Sequence, residues 1–341
     1  MFEQLLRPNV RRMQAYASAR NEFQGRAEVY LDANENPLGT LNRYPDPYQK
    51  KLRRRLAALN GVGEEQVFVG SGSDEVIDLL QRLFGVPGQD AIVTCPPTYG
   101  MYRVSAALND LRVCEVPLRA DFTLDLPALN QVFSESSNKL LFLCSPNNPT
   151  GNLLPLEQVR SVLNAFPGIV CVDEAYIEYA DAPSAIELLG EFPNLVVSRT
   201  LSKYHGLAAA RVGYAFAHPE LIALLDKIKP PYNLGEPSAR EALAALSKDR
   251  LTERARQKTA LLQQRARMQR ALVPLPFVRR VFPSDANFLL MEVEDPDRLY
   301  RFLAERGIVI RNRNSVVPGG LRISVGTAME NDRLLEAVAD F

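Results

Sequence analysis

The stretch SRTLSKYHGLAAAR, residues 198–211, sets one lysine among small hydroxylated residues and an arginine eight positions on. On a surface helix this is an ordinary basic face. The chemical alternative makes Lys203 a nucleophile and places Ser198, Thr200, Ser202 and Arg211 around an anion. Four further stretches combine residues that can do chemistry. GSGSD (70–74) offers two glycines that let a ligand approach the backbone, followed by free N–H groups at a helix start. A strand–helix turn capped by Ser73 or Asp74 fits the same residues. PPTYGMY (96–102) sets Tyr99 after a strand, as a ligand contact or as packing under a loop. CSPNNPTG (144–151) doubles an asparagine, at 147 and 148, where a turn needs only one, and Gly151 permits a positive φ. CVDEAYIEY (171–179) puts Asp173 directly after apolar residues, where a carboxylate is costly without a positive partner or a helix to cap. Tyr176, three residues on, would face the same way on a helical turn.

An imine-forming lysine, a carboxylate for a pyridinium nitrogen, an amide and a phenol for a phenolate oxygen, and a phosphate nest together describe pyridoxal 5′-phosphate (PLP) chemistry.

These residues must be positioned by strand ends. Apolar runs alternate with helical patterns from about residue 65 to 235: QVFVG, AIVTC, KLLFLC, GIVCVDEAY, NLVVSRT and RVGYAFA. Such alternation predicts an α/β fold with a mainly parallel sheet buried on both faces. A charged helical pattern follows from about Glu236 to Arg270. VRRVF, ANFLLMEV, DRLYRFLAERG, IVIRN and LRISVG then predict a second, α+β unit. The chain of 341 residues is 46% hydrophobic, and its 40 basic residues balance 40 acidic ones, so nothing points to nucleic acid. No apolar stretch is long enough to span a bilayer, and the charged N-terminus lacks a signal core. Cys95, Cys114, Cys144 and Cys171 form no CxxC pair and read as free thiols. Only two histidines, His205 and His218, are present, which argues against a His-based metal site. A cytoplasmic protein is expected.

The motifs LDANENP, RYPDP, GSGSDE, PTYGMY, SPNNPTG, VDEAY, SRTLSK with Arg211, and LRISVG occur in the order found in fold-type I aminotransferases. Over nearly the whole chain the set most resembles the histidinol-phosphate aminotransferases. The resemblance implies a seven-stranded, mainly parallel sheet flanked by helices as a large PLP-binding domain at 40–235. It implies a smaller α+β domain from 1–39 plus 236–341. Lys203 would form the imine with PLP and shuttle a proton. Asp173 would keep the pyridine nitrogen protonated, Asn148 and Tyr176 would bond the ring oxygen, and Tyr99 would stack on the ring. Backbone N–H groups of Ser73 and Asp74, with Thr200 or Ser198, Ser202 and Arg211, would bind the cofactor phosphate. Tyr44 would reach that phosphate from the other subunit of a homodimer. Arg322 would bind the substrate's acidic group, with Arg311 or its competitor Arg313 as second phosphate ligand and Tyr16 as a lid. The implied reaction is transamination between L-histidinol phosphate and 2-oxoglutarate, giving imidazole-acetol phosphate and L-glutamate in histidine biosynthesis.

Two features depart from the pattern. Tyr204 and His205 are bulky and polar at the expected rim of the site, and His205 is read as a packing residue. The segment around GTLNRYPD is short. Rival readings are an aromatic or broad-specificity aminotransferase, a PLP decarboxylase of a phosphorylated amino acid, and a non-catalytic PLP-binding regulator. The intact Lys203, Asp173, Asn148 and Tyr176 argue against the last. So does the expectation that no DNA-binding segment is appended.

Overall fold

In the computed structural model, which describes residues 2–15 and 28–341, the apolar runs pair into one seven-stranded sheet. Its strands are β1 (Val67–Gly70), β2 (Ala91–Thr94), β3 (Arg112–Glu115), β4 (Asn138–Cys144), β5 (Ile169–Asp173), β6 (Leu195–Thr200) and β7 (Gly213–Ala217), in the order β1-β7-β6-β5-β4-β2-β3. β3, β2, β4, β5 and β6 run parallel, and β7 lies antiparallel between β6 and β1. Side chains alternate between two buried faces: Phe68, Ile92, Phe142 and Cys171 on one, Val69, Val93, Leu141 and Val172 on the other. The six strands read from apolar runs all form. β3 was not among them, because its residues RVCE carry two charges and alternate poorly with its part-exposed edge position.

Helices return the chain between parallel strands. The one that matters most for the site is α3 (Ser73–Phe84), whose first turn carries Asp74 and Glu75 against the helix's positive end. Before it come α1 (Pro8–Arg12) and α2 (Lys50–Asn60); after it come α4 (Met101–Leu108), α5 (Leu126–Phe133), α6 (Leu156–Ala165) and α7 (Pro219–Ile228). Gly213 on β7 makes the entry of α3 possible: a Cβ there would lie 2.1 Å from the Ser73 nitrogen.

The expected long charged helix is two helices, α8 (Glu236–Ala245) and α9 (Lys248–Leu272). A second sheet follows, β10-β11-β9-β8, wholly antiparallel, from β8 (Val278–Val281), β9 (Phe288–Val293), β10 (Arg311–Asn312) and β11 (Gly320–Ser324). It packs with α10 (Pro296–Glu305) and α11 (Ala328–Ala339) around Leu289, Met291, Leu299 and Leu321. Of IVIRN only Arg311–Asn312 is strand. Among the described residues no helix is long and apolar enough to cross a membrane, and no group of three His, Cys, Asp or Glu side chains is placed to hold a metal ion. The four cysteines are free.

Candidate active site

Parallel strands all end at one edge of a sheet, so residues at the ends of β1, β2, β4, β5 and β6 meet there. A cavity of about 600 Å³ opens at this edge, and Arg311, Arg313 and Arg322 of the second sheet's region line it too. Its walls bring together most of the expected site residues: Ser73, Asp74, Tyr99, Asn148, Asp173, Tyr176, Thr200, Ser202, Lys203, Arg211, Arg311 and Arg322, with Arg313 beside them.

Asp173 ends β5 and is 2% exposed. Its carboxylate accepts hydrogen bonds from the Tyr102 hydroxyl (2.9 Å) and the Ala175 N–H (3.2 Å), neither of them a cation. Burial pushes its pKa up to about 6, the two hydrogen bonds partly opposing that rise. Tyr102, wholly buried on α4, was not read from the sequence as a site residue. The spacing in PTYGMY sets it three residues after Tyr99 at the start of a helix, a position that reads equally as core.

Lys203 follows β6 on a turn closed by the Gly206 N–H donating to the Lys203 carbonyl (3.1 Å). Its ammonium lies 5.8 Å from the Tyr176 ring centre. Desolvation by the cavity walls, then the charges of Arg322 and Arg211, hold its pKa below the usual lysine range. The first effect and the second both favour a neutral amine, the form that attacks an aldehyde.

The phosphate-type nest lies at the N-terminus of α3. Gly72 has φ +81°, and a Cβ on it would sit 2.7 Å from Arg211 Nη2, so only glycine leaves this cradle open. Arg211 Nη2 lies 3.5 Å from Asp74 Oδ2, and the Tyr99 hydroxyl donates to Asp74 Oδ1 (3.0 Å). The hydroxyls of Thr200 and Ser202 bond each other at 3.0 Å. Ser198 is a correction: it is fully buried in β6, its Oγ has no hydrogen-bond partner, and it does not line the cavity. Asp173, its neighbour in the register, reaches the cavity with a longer side chain.

The doubled asparagine divides its work. Asn147 donates to the Pro97 carbonyl (2.8 Å) and to Thr150 Oγ1 (2.6 Å), tying two loops. Asn148 faces the cavity, where its Oδ1 accepts from Arg322 Nη1 at 2.5 Å. Arg322 also lies 5.2 Å over the Phe288 ring. In the antiparallel register Arg322 stands directly opposite Arg311.

Three further residues lie outside this cavity. Tyr44 is outside the cavity, 52% exposed and stacked on Tyr232 with ring centres 4.3 Å apart. Tyr204 and His205 do not line the cavity rim: Tyr204 packs edge-on to Tyr179, and His205 is buried beside it. Burial, then Arg254 and Arg199, lower the His205 pKa to about 4, so it is neutral at physiological pH. Tyr16 lies outside the described residues.

The residues fit PLP. A buried carboxylate with no cation partner awaits a cationic nitrogen, a low-affinity lysine awaits an aldehyde, and a glycine cradle with an arginine awaits a phosphate.

The family model "Aminotransferase class I and II" matches residues 18–338. The histidinol-phosphate aminotransferase of Cytophaga hutchinsonii is 44% identical over 347 residues, covering 100% of this chain and 99% of the relative. That of Parabacteroides distasonis is 47% identical, covering 99% and 98%. The crystal structure of histidinol-phosphate aminotransferase from Sinorhizobium meliloti, in complex with pyridoxal-5′-phosphate, is 28% identical with a TM-score of 0.78, covering 87% and 83%. The chain belongs to the aminotransferase class I and II family, in the group of the histidinol-phosphate aminotransferases.

Proposed function

We propose that the protein is a PLP-dependent aminotransferase that moves the amino group of L-histidinol phosphate to 2-oxoglutarate, as a step of histidine biosynthesis. The observation that carries it is the opposition of Arg311 and Arg322 across two strands on the wall of the cavity that holds Lys203. Like charges facing each other on a sheet are destabilising, and an anion between them relieves the repulsion. The planar guanidinium fork takes a phosphate or a carboxylate in bidentate fashion, so the pair serves both partner substrates.

Asp173 would hold the ring nitrogen of PLP, and Asn148 and Tyr176 its ring oxygen. Tyr99 would cover its face. Ser73, Asp74, Thr200, Ser202 and Arg211 would hold its phosphate, and Lys203 would be its attachment point. Bound, the cofactor supplies an electron-withdrawing ring that takes up negative charge from the substrate carbon bearing the amine. Lys203 Nζ, with its depressed proton affinity, would take the proton from that carbon and deliver it to the cofactor carbon that receives the amino nitrogen. The Tyr102 hydroxyl and Ala175 N–H keep the Asp173 carboxylate oriented and favour its charged form. Arg322, fixed by Asn148 Oδ1 and Phe288, sets where the substrate anion lies.

The same proposal includes a cytoplasmic homodimer in which Tyr44 serves the partner's site. Exposed Val29 (72%), Leu31 (90%), Leu38 (79%) and Leu41 (64%), close to Tyr44 in the chain, support a covered surface there. It includes a cofactor-binding unit at 40–235 and a second unit from 1–39 and 236–341, supported by the two separate sheets. Tyr16 as a lid belongs to it also.

The test is the absorbance of the bound cofactor, at roughly 420 nm, on adding each amine. Histidinol phosphate bleaches it and 2-oxoglutarate restores it; histidinol reacts much more poorly. Borohydride fixes the cofactor to the peptide containing Lys203. Faster bleaching by phenylalanine or tyrosine at equal concentration establishes the aromatic aminotransferase instead, and release of carbon dioxide from a phosphorylated amino acid establishes the decarboxylase.

A further inference from the structure

The substrate end of the cavity holds three guanidinium groups, not two: Arg313 lines it beside Arg311 and Arg322. The acids among the lining residues are Asp74 and Asp173, and both are engaged elsewhere, Asp74 by Tyr99 and Arg211, Asp173 by Tyr102. Arg313 is held to the cavity by its backbone. Its N–H donates to the Gly320 carbonyl (2.9 Å), and its own carbonyl accepts from Val316 (2.9 Å) and Val317 (2.8 Å). Its neighbours point away: Asn312 Nδ2 donates to Asp297 Oδ1 (2.6 Å), and Asn314 Oδ1 accepts from the Gly319 N–H (2.9 Å). Alternation along extended backbone then puts 311 and 313 on the other side together. Arg313 Nε is buried without a hydrogen-bond partner.

Two forks satisfy a carboxylate, which carries one negative charge. A third cation adds little to that but gains a full extra interaction from a phosphate monoester in its doubly charged form. We propose that Arg313 is a specificity-determining residue that makes the subsite prefer a phosphate dianion over a carboxylate. This rests on the reading of the Arg311–Arg322 wall as the substrate-anion subsite, and it adds the valence that the subsite selects.

The test uses methyl phosphate and acetate as probes on the cofactor-loaded protein, with dissociation constants from calorimetry. At pH 7.5 Arg313→Gln weakens methyl phosphate by about 10- to 100-fold, the size of one lost charge-assisted contact, and acetate by less than about threefold. Between roughly pH 7.5 and 5 methyl phosphate passes from dianion to monoanion, its second pKa being about 6. Wild-type affinity falls steeply over that range, and the Gln variant's falls less. Arg313→Lys, which keeps the charge, restores most of the preference. Equal weakening of both probes, or no change in either, overturns the proposal. Failure of the wild type to use histidinol phosphate, with Arg313-dependent methyl phosphate binding intact, overturns the substrate and leaves the valence preference standing.

Discussion

Asp173 makes the cofactor-free protein less stable than it needs to be, and the size of that penalty can be worked out. The carboxyl is 2% exposed, and burial raises its pKa from 3.8 to about 6. The folded form therefore holds its proton more tightly than the unfolded chain does. Its contribution to stability is intact below about pH 4 and is lost as the pH rises to about 6. A rise of about 2 pH units, at about 1.4 kcal/mol each, amounts to about 3 kcal/mol at pH 7. Asp173→Asn keeps the shape and removes the charge. Without cofactor it should be more stable than the wild type at pH 7 by up to about 3 kcal/mol, less what is lost in the bonds from Tyr102 and Ala175. Urea unfolding of the cofactor-free proteins at several pH values measures this: the variant's advantage grows between about pH 4 and 6.5 and then levels off. Loaded with PLP, where the carboxylate meets a cation, the advantage shrinks or reverses, and the transamination rate falls by several powers of ten. An advantage that does not change with pH would refute the argument, because a difference in packing has no reason to titrate.

Tyr102→Phe removes a 2.9 Å bond to the same carboxylate without changing ring volume. A hydrogen bond to a charged group is worth about 1.5–3 kcal/mol, so the pH at which the cofactor-free protein loses half its PLP affinity should rise by about one unit or more; an unmoved midpoint contradicts the role given to Tyr102. Mixing inactive Lys203→Ala with an inactive Tyr44 variant should restore activity, since hybrid dimers contain one intact site; sedimentation showing an active monomer at assay concentration rules this out.

The ease with which this site reads from the sequence varies with depth. Asp173 announces itself because it ends an apolar strand, and Asn148 and Lys203 because they stand in polar turns just after two others; parallel topology gathers those ends. Neither Tyr102 nor Ser198 offers such a signal. Tyr102 sits one helical turn from Tyr99 and is wholly buried, so spacing alone reads it as core; only the fold shows its hydroxyl against Asp173. Ser198 shares its strand face with Thr200 by period-two alternation, yet it lies two residues deeper in β6 and stays inside the sheet. The same alternation explains a pairing that no motif signals. Glu174 and Arg199 each adjoin an inward site residue, and their side chains meet at 2.8 Å, a buried ion pair that clamps β5 to β6 behind the cavity. Arg313 is the reverse case. RNRN holds two arginines two positions apart and offers no ground for choosing between them. The structure needs no choice, because the strand period puts both on the cavity side and leaves their asparagine neighbours to anchor the loop.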